Sequence, residues 1–121
     1  MGMVIELIAA LEVGTVLVAE VIPTSPERRA WVEILPQKGK LDKRAASEGW
    51  KHSHSDRAFV VLQREYSRQH MENDWDMAPN DGLWEHRRAE VIGLDALEQL
   101  LESWSVPLDA LQYLWKSDCP T

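Results

Sequence analysis

His52 and His54 are separated by one serine, and two further histidines, His70 and His86, bracket a segment dense in carboxylates. Alternate residues of a strand share a face, so an H-x-H pair can present both imidazoles to one zinc ion. The remaining ligands would have to come from the acidic segment, where no fixed spacing supplies them. The residues therefore permit a small metal-assisted hydrolase built on His52, His54 and nearby carboxylates. Two solvated histidines in a polar connection explain the same pair with fewer assumptions.

The acidic segment is the more informative one. Between His70 and His86, HMENDWDMAPNDGLWEH holds five carboxylates, two tryptophans and no lysine or arginine. Asp74-Trp75-Asp76, with Glu72 and Asp81 close by, sets oxygen ligands at alternate positions as part of a calcium loop does. The fuller pattern, a glycine at the sixth position together with a glutamate at the twelfth, is absent. A second chemistry suits the residues better. Tryptophan is enriched among binding hot spots, and complementary charge speeds association and fixes register. Trp75 and Trp84 are then anchors that bury against a partner while Glu72, Asp74, Asp76 and Asp81 steer its basic surface. The plainer alternative is that both rings fold back onto the sheet. That is harder for Trp75, whose aspartate neighbours must stay wet, so Trp75→Ala is expected to weaken binding and leave the melting temperature nearly unchanged.

Other chemistries lack their parts. Serines adjoin His52 and His54, but no G-x-S-x-G turn presents a nucleophile. Cys119 has no histidine base near it in sequence and lies close to the C-terminus. The six glycines are scattered, with no phosphate-cradling loop among them. No cofactor is implied.

Charge narrows the partner. The formal net charge is -7, and its distribution matters more than its sum. Residues 1–60 carry eight Lys/Arg and eight Asp/Glu, while residues 61–121 carry five against twelve. Such a half repels phosphates and anionic membranes, which argues against nucleic acid and membrane partners and for a basic protein. The basic stretch 37–57 offers an intramolecular alternative, in which Lys38, Lys40, Lys43 and Arg44 neutralise the acidic segment. A single cysteine excludes an intrachain disulfide framework and suits a reducing compartment. The opening MGMVIELIAAL lacks a basic n-region, carries Glu6, and is too short to span a membrane, so the cytoplasm is the expected location.

The elements that must hold these residues follow from periodicity. Val4, Ile5, Leu7, Ile8 and Leu11 recur at helical spacing, predicting a helix over 3–12. TVLVAEVI (Thr15–Ile22) and AWVEIL (Ala30–Leu35) flank the turn-forming PTSPER and predict a hairpin. AFVVLQREY (Ala58–Tyr66) reads as a third strand in preference to a helix, and RRAEVIGL (Arg87–Leu94) as a fourth with one wet face. Residues 37–57 read as a polar, basic connection with a helical turn near Lys40–Ser47, and 70–86 as an acidic loop. LDALEQLLESW, with Asp95 and Glu98 as a capping box, and SVPLDALQYLW, opening at Ser105 and Pro107, predict a helical hairpin over 94–116. Neither helix carries a basic face, so a DNA-reading pair is not expected. Trp31, Trp104 and Trp115 fall on core faces, leaving too few free rings for a carbohydrate platform.

The sequence thus predicts one α+β domain over residues 1–121. About four mostly antiparallel strands carry an N-terminal helix and a C-terminal helical pair on one face. The first functional reading is a non-enzymatic acidic module that sequesters or inhibits a basic protein, as immunity proteins do against nuclease toxins. The binding residues are Glu72, Asp74, Trp75, Asp76, Asp81 and Trp84. The others are the metal-assisted hydrolase, whose metal would leave with His52 and His54, and a structural subunit of a larger assembly.

Overall fold

The β-branched run at Leu17–Val21 (β1) pairs antiparallel with Arg28–Pro36 (β2), Leu17 opposite Ile34 and Val21 opposite Ala30, which forms the expected hairpin. Ala58–Ser67 (β3) adds to β2, and Gly82–Ile92 (β5) adds to β3, both antiparallel. The four expected strands are thus the centre of the sheet. The computed structural model describes residues 4–50, 52 and 56–120. Among these, two short edge strands complete a six-stranded mixed sheet: Ala78–Pro79 (β4) runs parallel to β5, and Gln112–Tyr113 (β6) antiparallel to β1. The described helices are Ile5–Glu12 (α1), Lys40–Glu48 (α2), Arg68–Glu72 (α3) and Leu94–Ser103 (α4), so the structure is α+β.

Alternation along the strands sends Leu17, Ala19, Val32, Ile34, Phe59 and Val61 to one face. There they are buried against Leu11 of α1 and Leu97 and Leu101 of α4. Each side chain of leucine size buried in this way contributes about 1.5–3 kcal/mol. The opposite face is covered by coil. Val18, Trp31 and Tyr66 are buried there beside Leu83 of β5, under Cys119 from the C-terminal stretch, Met71 of α3 and Met77 beyond it. Trp31 and Tyr66 meet edge to face at 5.7 Å.

Several expectations are corrected. The second half of the proposed helical hairpin is not a helix. α4 ends in a Schellman turn: Ser105 takes a left-handed φ of 58°, its N–H bonds to the Glu102 carbonyl, and the Val106 N–H bonds to Leu101. Residues 108–116 then form two short 3-10 turns around β6. A ten-residue helix beginning beside a proline is marginal alone. The unpaired edge of β1 offers this segment backbone partners, and pairing wins. Trp115 consequently lies 70% exposed, not in the core, with one ring face stacked on Tyr113 at 4.5 Å. At the start of α4 the N-cap is Gly93 and no side chain caps it, so Asp95 lies in the first turn rather than in a capping box.

The acidic 70–86 stretch is not a loop throughout. It contains the end of α3, β4 and the first residues of β5, because from Gly82 onward its backbone finds the free edge of β3. The polar 37–57 connection carries α2, bounded by Gly39 and by Gly49 at φ 82°. Arg57 closes that connection. Its five N–H groups donate to the carbonyls of Glu12, Gln37 and His52 and, bidentately, to Asp42.

Candidate functional site

α3 begins where Ser67 caps it, its hydroxyl accepting the His70 N–H at 3.2 Å. The helix lasts five residues, and Asp74 then turns the chain at φ 53°. Asp and Asn tolerate this left-handed region better than most residues. Met71 and Met77 insert into the coil-covered face of the sheet. The residues between them are held outward: Glu72, Asp74 and Asp76 are exposed, and Trp75 is 49% exposed. Among the described residues no cation lies within ion-pair distance of Glu72, Asp74 or Asp76.

His70 ties two of the expected residues together. Its ring meets Trp75 edge-on at 5.3 Å, and its Nε2 lies 3.4 Å from the Asp81 carboxylate. Gly82 makes the fit possible: a Cβ there would sit 2.7 Å from the His70 ring, at a φ of 90° that disfavours side chains. Trp84 goes elsewhere. It stands opposite Glu65, on the helix-covered face, whereas Leu83 beside it faces Tyr66. The Arg28 guanidinium covers the Trp84 ring at 3.8 Å and reaches the Glu65 carboxylate at 3.4 Å. The structure therefore gathers Glu72, Asp74, Trp75, Asp76 and Asp81 on one segment and turns Trp84 away.

The intramolecular alternative finds no contact. Arg44 pairs with Glu48, Arg57 pairs with Asp42, and among the described residues no ion pair joins 37–57 to 70–81. Asp81 has His70 and Glu85 has Arg88, while Glu72, Asp74 and Asp76 carry charge without an ion pair among the described residues. His52 gives its carbonyl to Arg57 and meets Trp50 edge-on at 6.4 Å. His54 lies outside the described residues. Among those described, no three His, Cys, Asp or Glu side chains come together as a metal ion needs.

Two buried carboxylates escaped the sequence reading. Glu33, on the coil-covered face, accepts the Tyr66 hydroxyl at 2.9 Å, with Arg64 3.6 Å away. Burial raises its pKa and outweighs the hydroxyl and the guanidinium. Burial also raises the Tyr66 phenol, reinforced by the Glu33 charge. Glu65, on the other face, is fully buried. Its burial is overcome by the Thr24 hydroxyl and N–H, by Arg28 and by the nearby His86, which together hold the carboxyl below its ordinary value. Beside it, buried Gln63 donates to Glu65 and accepts from Arg87 Nε at 2.8 Å. A signal for this group was present, since the core-facing series Phe59, Val61, Gln63, Glu65 turns polar halfway along β3. Its partner on β5 had none, because a bulge opposite Gln63 and Arg64 sets the side-chain directions there.

No family model matches this chain, and no characterised protein or solved structure matches it.

Proposed function

We propose that the protein is a non-enzymatic binding module that receives a basic protein partner on the surface formed by Glu72, Asp74, Trp75, Asp76 and Asp81. The observation that carries this reading is Trp75, half exposed beside Glu72, Asp74 and Asp76, none of which has a cation within ion-pair distance among the described residues. A large ring in that setting exposes apolar surface that association would bury, and the surrounding charges steer a cationic cleft toward it. Inhibitors of the immunity type act this way, their carboxylates standing in for phosphates. The same charge disfavours nucleic acid and anionic membranes as partners. No described helix is long and apolar enough to cross a membrane. A cytoplasmic setting suits a chain with a single cysteine, which is buried.

The test is capture from host lysate at low and high ionic strength with three baits: wild type, Trp75→Ala and Asp74→Asn/Asp76→Asn. One basic protein, held by wild type at low salt, shed at high salt and lost by both variants, is the expected result. Retention of the same protein by both variants would remove this surface from the account.

A further inference from the structure

On the helix-covered side, a groove of about 620 Å³ opens between the exit of α4 and the end of β1. That volume lies in the range of small-ligand sites, about 300–1,000 Å³. Its floor is polar and built from strands. The register of β3 on β5 moves from Gln63 opposite Arg87 to Arg64 opposite Glu85, which leaves His86 as the extra residue of a β-bulge. A bulge re-aims side chains. Here it sets His86 beside Arg87 on the groove, where strict alternation would have sent the two to opposite faces.

Arg87 is oriented without being neutralised. Its Nε donates to the Gln63 side-chain amide oxygen Oε1, its Nη2 to the Trp104 backbone carbonyl at 3.3 Å, and its guanidinium stacks on the Trp104 ring at 4.2 Å. Gln63, only 3% exposed, is fixed in turn by the Glu65 carboxylate. No carboxylate pairs with Arg87 among the described residues, and Nη1 makes no hydrogen bond there. Nη1 is not a buried orphan either: His70 Nδ1 is the one such side-chain atom among the described residues, so Nη1 is not sealed from solvent. The one carboxylate lining the groove, Glu20, is held by Arg29 through two bonds of 2.8 Å. Partial burial lowers the Arg87 pKa and marks an uncompensated charge, though a guanidinium remains ionised. The walls are apolar. Val21 and Pro107 line them, and Ile22 stands at the rim with 90% of its surface exposed.

We propose that this groove binds a small amphipathic carboxylate, its anion held by Arg87 and His86 and its apolar part laid against Val21, Ile22 and Pro107. A guanidinium with its outer edge free presents two parallel donors that match a carboxylate. One guanidinium and apolar walls favour a monoanion with a hydrocarbon body over a bare phosphate. The rigidity of Arg87, set by Gln63 and Trp104, removes part of the ordering cost of binding.

The experiment is titration of the full chain followed by ¹H–¹⁵N correlation spectra, reading Arg87 Nε–H and the Trp104 indole N–H. The probes are octanoate, octanamide, octylamine and inorganic phosphate. Octanoate should give saturable shifts centred on the groove, with octanamide and octylamine at least about tenfold weaker, the loss expected for a charge-assisted contact. Phosphate should shift Arg87 less than octanoate does. Arg87→Gln should abolish octanoate binding. Ile22→Glu, at a position too exposed to disturb folding, should weaken it and keeps the test decisive if Arg87→Gln does not fold. Equal binding of the amide, the amine or phosphate would overturn the proposal. So would octanoate shifts that do not saturate, or unchanged affinity in Ile22→Glu.

Discussion

Removing the Asp42 carboxylate should cost far more than its place in a charged connection suggests. The Arg57 side chain is 2% exposed and that of Asp42 12% exposed, and they meet at 2.7 Å and 3.0 Å. Asp42→Ala leaves the guanidinium buried, with three carbonyl acceptors and no counter-charge. Uncompensated buried charge of this kind costs about 3–5 kcal/mol, a large part of the roughly 5–15 kcal/mol that holds a domain together. For a chain of this size the melting temperature should fall by about 10–20 °C. Asp42→Asn, which keeps an acceptor, should lose about half as much. The sign with pH follows from the Arg57 hydrogen bonds, the Gly39 N–H and the Arg57 charge, which hold Asp42 well below the usual carboxylate range. Its contribution is full above the ordinary aspartate value of about 3.9 and disappears as pH falls through the depressed folded value. The gap between wild type and Asp42→Asn should therefore close only in strong acid. Urea and thermal unfolding followed by far-UV circular dichroism read both effects. A loss under about 1 kcal/mol for Asp42→Ala, the cost of a surface pair, would refute the clamp.

Glu33→Gln should act in the opposite sense. Burial raises the Glu33 pKa, so stability falls as pH rises through the window between its unfolded and folded values. The glutamine cannot ionise, so the variant should exceed wild type at neutral pH and lose that advantage below the unfolded value. A variant weaker than wild type at pH 7 would mean that the Arg64 pair outweighs burial. Gly49→Ala and Gly82→Ala both force a side chain into left-handed backbone, at about 1–2 kcal/mol. Gly82→Ala should cost measurably more, because the His70 ring lies where its Cβ must go and the space beside Gly49 is open. Equal melting points for the two would contradict the close approach. Finally, Trp75→Ala should lower stability by about 2 kcal/mol at most, since half the ring is already in water. A much larger loss would make the ring a core residue.

What the sequence disclosed follows physical locality. β1 and β2 were legible because β-branched runs flank a proline-rich turn, and α4 because Leu94, Leu97, Leu100 and Leu101 recur at helical spacing. Residues 105–116 were not. Ser105 before Pro107 is a sound start signal, but the free edge of β1, far away in sequence, decides the outcome. The acidic segment shows the same division. Aspartates on both sides of Trp75 foretold its exposure. The direction of Trp84 depends on its register with Glu65, which no local pattern encodes. The bulge at His86 is of the same kind, so the groove it helps to build could be read only from the paired strands.

We propose that the surface around Trp75 receives a basic partner. Hydrogen–deuterium exchange on the complex formed with the captured protein tests it most directly. Slowed exchange confined to residues 70–81, and absent for Asp74→Asn/Asp76→Asn mixed with the same protein, is the expected result. Protection centred on α1, on β6 or on the groove beside Arg87, with 70–81 unchanged, would contradict it.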